Sequence, residues 1–185
     1  MPADKAGRGR VDEAKMRSFM AVHAAGSDLL QRTPYIARVQ ASNLLSHMLR
    51  TLEQAEQRKA VVGAIGTKDD NVVVIVGHDA NIASVAALLD ADWLVSGYQR
   101  DDAAPGGALV FELWQESGHQ DTLRVYYTVQ TPDQMRNTVR LSLEMPPGKA
   151  VVFLPRCSKL GEGSPCDWSR FESLAKTVID DNFVK

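Results

Sequence analysis

The stretch NVVVIVGHDANIASVAALL runs from Asn71 to Leu89 and constrains the fold more than any other part of the chain. Val72 to Val76 is an unbroken run of β-branched residues, too short for a helix of its own. Such a run predicts a strand covered on both faces, of the kind found in parallel sheets. Gly77, His78 and Asp79 follow, and then an alanine-rich segment that predicts a helix over about 80–89. A strand passing through a glycine into a helix is the unit of an α/β fold.

The rest of the chain reads as mixed α/β around that unit. Residues 1–10 read as a flexible lead. A helical pattern covers Asp12 to Leu30, with Met16, Phe19, Met20, His23, Leu29 and Leu30 as its buried side and Gly26 as an interruption. Thr33-Pro34 is a helix start, with threonine as N-cap and proline at the first helical position. Ile36, Val39, Leu44, Leu45, Met48, Leu49 and Leu52 then recur at helical spacing to about Glu56. Residues 62–70 form a polar loop, and SGYQRDDAAPGG a long loop that is a candidate site rim. ALVFELWQ and TLRVYYTVQ alternate around ESGHQD, which predicts an antiparallel hairpin. TPDQMRN predicts a short helix capped by its threonine. VRLSLEM and KAVVFLP predict a second strand pair around PPG, and Asp167 caps a last helix from Trp168 to about Ile179.

Composition narrows the function classes. The 185 residues are 44% hydrophobic and 24% charged, as in an ordinary globular domain, with a formal net charge of −2. That balance gives no electrostatic case for nucleic acid or an anionic membrane as partner. No apolar run reaches the ~18 residues of a membrane span. The polar N-terminus MPADKAGRGR has no apolar core, so it does not read as a secretory signal. Cys157 and Cys166 flank a loop containing Gly161, Gly163 and Pro165; they fit either a local disulfide or two free thiols. No second Cys or His pair supports zinc, so no metal or cofactor is expected. There is no P-loop, G-x-S-x-G, G-x-G-x-x-G or H-E-x-x-H.

The His78-Asp79 pair is then the candidate for chemistry. In open α/β sheets ligands bind off the carboxyl ends of strands, and a helix start presents N–H groups and partial positive charge to an anion. His78 can donate to a phosphate. The charge of that phosphate favours a protonated Asp79, which can then serve as general acid to a departing alkoxide. The plainer alternative makes Asp79 a helix N-cap. His23 and His47 sit on helices as ordinary partly buried or surface residues, and His119 lies in the hairpin turn.

VVVIVGHDANIASVAALL resembles the second signature of the histidine acid phosphatases, in the bacterial branch of periplasmic phytases and glucose-1-phosphatases. LLQRTPYIARVQASNLL, APGGALVFELW and VQTPDQMRNTVRLSL resemble the family's neighbouring segments in the same order, over about residues 7–180. The resemblance implies a phosphoglycerate-mutase-like α/β sandwich with a mixed sheet, the strand-HD-helix unit and antiparallel hairpins. It implies Asp79 as general acid, His78 as phosphate ligand, Ala80 and Asn81 as substrate contacts, and Cys157–Cys166 as a disulfide. The substrate would be a phosphomonoester, either a sugar phosphate or an inositol phosphate, and the location periplasmic. The family's nucleophilic histidine stands in an R-H-G-x-R-x-P motif, which this sequence lacks. We therefore expect residues 11–185 to be the C-terminal part of such a domain, inactive without an N-terminal half. A non-catalytic fragment, a phosphate-binding piece and one chain of a split enzyme are the alternatives. Two departures bear on substrate. Ala80 replaces the threonine or serine of relatives, and Gln40 stands where phytases of this branch tend to carry arginine.

Overall fold

A computed structural model of the chain describes residues 3–115, 118 and 120–185; His119, placed by the sequence in a hairpin turn, lies outside them. A short 3-10 helix, Ala3–Gly9, leads into α1 (Glu13–Gln31) and α2 (Pro34–Gln57). Asp12 caps α1 by accepting the Lys15 N–H. Gly26 does not interrupt α1. Thr33 precedes α2 with Pro34 at its first position, as the sequence predicts, but the Thr33 hydroxyl donates back to the Leu29 carbonyl instead of capping.

Two side-by-side layers make the core. One is helical: α2, α3 (Asp79–Leu89) and α5 (Trp168–Val178). The other is an antiparallel sheet in which β2 (Thr122–Val129) lies between β1 (Ala108–Trp114) and β3 (Gly148–Val151) and also pairs with the two-residue β4 (Cys166–Asp167). β1 and β2 form the expected hairpin, with Phe111 opposite Val125 and Leu109 opposite Tyr127. The alternation of β2 puts Leu123, Val125, Tyr127 and Val129 on the core face. There they join Leu45 of α2, Leu89 of α3 and Phe171 of α5 in one cluster. Tyr127 stacks on Trp93 with ring centroids 4.7 Å apart. Burial pushes the Tyr127 phenol up to about 12. A side chain at Gly107 would run into the Tyr127 hydroxyl, which accounts for glycine there.

The second predicted strand pair does not form. GKAV (Gly148–Val151) joins β2 instead, in register with Tyr126 to Val129, and residues 139–145 run outside any ladder with Leu141 and Leu143 exposed. The alternating core face of β2 offers β3 better cover than a solvent-facing hairpin would. Between β2 and β3, Thr131 and Gln134 exchange both bonds of a capping box to start α4 (Pro132–Arg136). Cys157 and Cys166 form a disulfide, both sulfurs buried, with Cα atoms 5.2 Å apart. Asp167 stands at the N-cap of α5, but its carboxylate pairs with Lys159 at 2.7 Å and makes no capping bond.

Two polar assemblies fix the remaining loops. The first comes from one face of α2, where residues spaced by four and three grip the loop after it. His47 Nδ1 lies 2.6 Å from the Gly63 carbonyl oxygen. Thr51 Oγ1 accepts the Ile65 N–H, and Gln54 accepts the Val61 N–H while donating to the Gly66 carbonyl. The second staples the end of α1 to the segment after α3. Arg32 donates to the Ala91 carbonyl and to Asp92 at 2.7 Å, and Arg100 binds Asp28, Asp92 and Asp101. Asp101 also accepts the Trp93 N–H, and its side chain is only 6% exposed.

The sharpest difference from expectation concerns Val72 to Val76. The run is neither strand nor helix where it leads into α3, and no ladder includes it among the described residues. Val72, Val74 and Val76 are 79%, 78% and 92% exposed. Val73 is half-buried and Ile75 is 43% exposed. A β-branched run signals a strand suited to burial, but the sheet neighbours that would bury it are not among the described residues. α1 shows the same pattern. Met16, Phe19, Leu29 and Leu30 are exposed, and so is His23.

Candidate phosphate-ester site at the start of α3

The local sequence explains how the HD pair is held. His78, not Asp79, is the N-cap of α3, with extended backbone at φ −107° and ψ 166°. Asn81, three residues on, turns its Oδ1 back to accept the His78 N–H at 2.8 Å. That is the reaching-back limb of a capping box, made by an asparagine. Gly77 makes room for it: a Cβ at that position would lie 2.8 Å from Asn81 Oδ1. So the G, H and N of GHDAN form one structural device, and the aspartate is the residue it leaves open.

Asp79 occupies the first position of α3 and is exposed. Its Oδ1 accepts its neighbour Ala80's N–H at 2.8 Å, and it enters no ion pair among the described residues. A carboxyl group there faces solvent at the positive end of an 11-residue helix. The helix is anchored behind it by Ala83, Val85, Ala86, Leu88 and Leu89, all buried, and is closed by a left-handed Asp90 whose N–H reaches the Ala87 carbonyl. Buried Ser84 donates to Gln40 Oε1 at 2.8 Å, so Gln40 of α2 is committed to α3 one turn beyond Ala80 and Asn81.

The structure thus brings together His78, Asp79, Ala80 and Asn81. It commits His47 elsewhere, against Gly63, and leaves His23 on the open side of α1. No group of three or more metal-ligating side chains occurs among the described residues, and no described helix is long and apolar enough to cross a membrane. Sequence reasoning missed the cap made by Asn81. Its signal was present: a side-chain acceptor three residues after a helix-start residue.

Comparison with known proteins gives this arrangement a context. Residues 13–129 match the model of the histidine phosphatase superfamily (branch 2). The chain is 34% identical to phytase AppA of Escherichia coli (strain K12) over 170 residues, which is 91% of this chain and 39% of that protein. It is 28% identical to the glucose-1-phosphatase of Providencia rettgeri over 181 residues, 97% of this chain and 41% of the relative. Among solved structures, the phytase from Citrobacter braakii superposes with a TM-score of 0.80 at 32% identity, covering 100% of this chain and 46% of that one. Hafnia alvei phytase in complex with myo-inositol hexakis sulphate superposes with a TM-score of 0.79 at 28% identity, covering 96% and 43%. The chain spans about two-fifths of the length of the curated relatives it matches. By fold and by sequence, this chain belongs to the histidine phosphatase superfamily, branch 2.

Proposed function

We propose that this chain carries the proton-donor side of a phosphomonoesterase site, with His78 binding the phosphate and Asp79 protonating the leaving oxygen. The observation that carries the reading is the open Asp79 carboxyl at the head of α3, beside a histidine whose backbone is pinned by Asn81. The charge of a phosphate ester bound at the helix start favours the protonated acid. As the P–O bond breaks, the departing alkoxide takes the Asp79 proton and the carboxylate remains. The attacking group is a histidine that becomes phosphorylated and is then released by water. It stands in the R-H-G-x-R-x-P motif that this sequence lacks. The activity accordingly belongs to a histidine-type acid phosphatase in which this chain is joined by the rest of the fold. Ala80 offers no hydroxyl and Gln40 no charge, which favours sugar phosphates over a substrate as anionic as phytate. The buried disulfide suits an oxidising compartment such as a periplasm.

Assayed alone on p-nitrophenyl phosphate at acid pH, the chain should turn over no substrate, since general acid catalysis contributes only ~10²–10⁴-fold. A burst of product with a trapped phosphohistidine on this chain would refute that. In the assembled enzyme, Asp79→Asn should slow esters with poor leaving groups far more than p-nitrophenyl phosphate. Equal losses on both would make Asp79 structural. His78→Ala should weaken binding of inorganic phosphate and vanadate.

A further inference from the structure

We infer that a cleft between α5 and the segment after β3 binds a phosphate group through Arg156 and Arg170, apart from the site at the head of α3. Neither His78 nor Asp79 takes part in it.

The cleft has a volume of about 340 Å³ and is lined by Arg156, Ser169, Arg170, Ser173, Leu174 and Thr177. That is the lower end of the ~300–1,000 Å³ found for small-molecule sites. Positions 169, 170, 173, 174 and 177 share one side of α5, because residues three and four apart in a helix are neighbours. Leu174 is buried, and the polar residues of that side stay at the surface. Arg156 donates to the Leu88 carbonyl at the end of α3 at 3.3 Å. Arg170 donates to the Arg156 carbonyl at 3.4 Å, so backbone oxygens hold both guanidiniums in place. The cleft therefore lies at the far end of α3 from Asp79, and an 11-residue helix is roughly 16 Å long.

Two observations point to an anion. First, neither guanidinium forms an ion pair among the described residues, although carboxylates stand close in sequence. Those carboxylates are engaged elsewhere: Glu172 with Lys176, Asp167 with Lys159, and Asp180 with the Asn182 amide. Two cations in one cleft repel each other unless an anion joins them. With a formal net charge of −2, the chain has no general excess of cations to which this pair would belong.

Second, the remaining groups are set to donate. Ser169 Oγ accepts from Gln120 Nε2 at 2.9 Å, which leaves its own proton free. The Ser173 hydroxyl has no hydrogen-bond partner among the described residues; only its carbonyl is used, by Thr177 at 2.8 Å. Thr177 has thereby committed its proton and only bounds the cleft. Each guanidinium gives one nitrogen to a carbonyl and keeps most of its five N–H donors. Two planar forks and two free hydroxyls match a tetrahedral oxyanion whose oxygens accept. Phosphate suits the pair better than a carboxylate does, because its second negative charge answers the second arginine.

The test is an NMR titration of the full chain with inorganic phosphate at pH 7.5, with sodium chloride holding the ionic strength constant. Saturable shifts should appear at the amides of Arg156, Ser169, Arg170 and Ser173 and at both arginine Nε–H groups. Arg170→Gln should weaken this binding by about tenfold or more, and Ser173→Ala by a smaller factor, with the phosphate-free melting midpoint unchanged. Arg170→Lys should recover only part of the affinity, since an ammonium keeps the charge and loses the fork. His78→Ala should leave these shifts as they were, which separates the cleft from any phosphate bound at the head of α3. Glycerol 3-phosphate in a parallel titration separates the two forms of the ligand: tighter binding than phosphate assigns an ester, and weaker binding assigns free phosphate. Three results would overturn the inference: no shifts at these four residues; shifts that chloride alone reproduces at equal ionic strength; or an affinity unmoved by Arg170→Gln in a chain that still folds. If Arg170→Gln lowers the melting midpoint, Ser173→Ala decides in its place, since it removes a donor and no hydrogen bond of the fold.

Discussion

Asp101→Asn should stabilise the chain at neutral pH and do nothing at acid pH. The Arg32–Arg100 assembly holds two arginines against Asp28, Asp92 and Asp101, so it carries one surplus negative charge. Burial pushes the Asp101 carboxyl up from 3.8 to about 6; the charge and hydrogen bond of Asp92 add to the rise, while the Trp93 N–H and Arg32 oppose it. A carboxyl shifted that far binds its proton more tightly in the folded chain by up to roughly 3 kcal/mol. Because the folded value lies above the unfolded one, this stabilisation is fully present below pH 3.8 and is lost as pH rises through about 6. Asparagine keeps the oxygen that accepts the Trp93 N–H and removes the surplus charge, leaving two cations and two anions. Urea unfolding of both proteins, followed by tryptophan fluorescence, isolates the effect as a difference. The variant should be more stable by on the order of 1–3 kcal/mol at pH 7.5, with the gap narrowing as pH falls below about 6 and closing only below pH 3.8. Parallel stability curves, or a variant weaker by more than about 1 kcal/mol at pH 7.5, would show that the ion pairs outweigh desolvation and would refute the reasoning.

Gly77→Ala should break the Asn81 cap and cost ~1 kcal/mol, read as faster amide exchange at His78 and a lower melting midpoint. Asn81→Ala should cost about as much, and the double variant little more than either, since both remove one bond. Reducing the Cys157–Cys166 bond should cost ~2.5–3 kcal/mol by loop closure. Exchange should rise around β4 and the start of α5 and stay unchanged at the head of α3; the reverse pattern would show that the disulfide supports the site.

What could be read from the sequence was what local chemistry decides. The turn into α3, the β1–β2 hairpin, the Thr131 cap of α4 and the extent of α5 each depend on residues within a few positions of one another. The hidden features depend on distant partners. Val72 to Val76 has the composition of a buried strand whatever its neighbours, so its exposure could not be seen. The apolar face of α1 misled for the same reason. The partners of VRLSL were misassigned because β3 finds its partner in β2, some twenty residues back. The Arg32–Asp101 contact joins positions too far apart for any spacing rule. At the site, the roles proposed for His78 and Asp79 rest on their place at the start of α3 and on family resemblance. The hold of Asn81 on His78 is local and was legible as a cap pattern.

The grip of α2 on the loop after it has a thermodynamic consequence. Ordering the backbone of one residue costs ~1–2 kcal/mol, so five residues recruited from a disordered state would cost roughly 5–10 kcal/mol. Here His47, Thr51 and Gln54 hold the chain between Val61 and Gly66, and the Asn81 cap holds it again at His78. Residues 67–77 are therefore tethered at both ends, which restricts the conformations open to them. Loosening the grip, for example with Thr51→Val, would return part of that ordering cost to the folding of the segment itself.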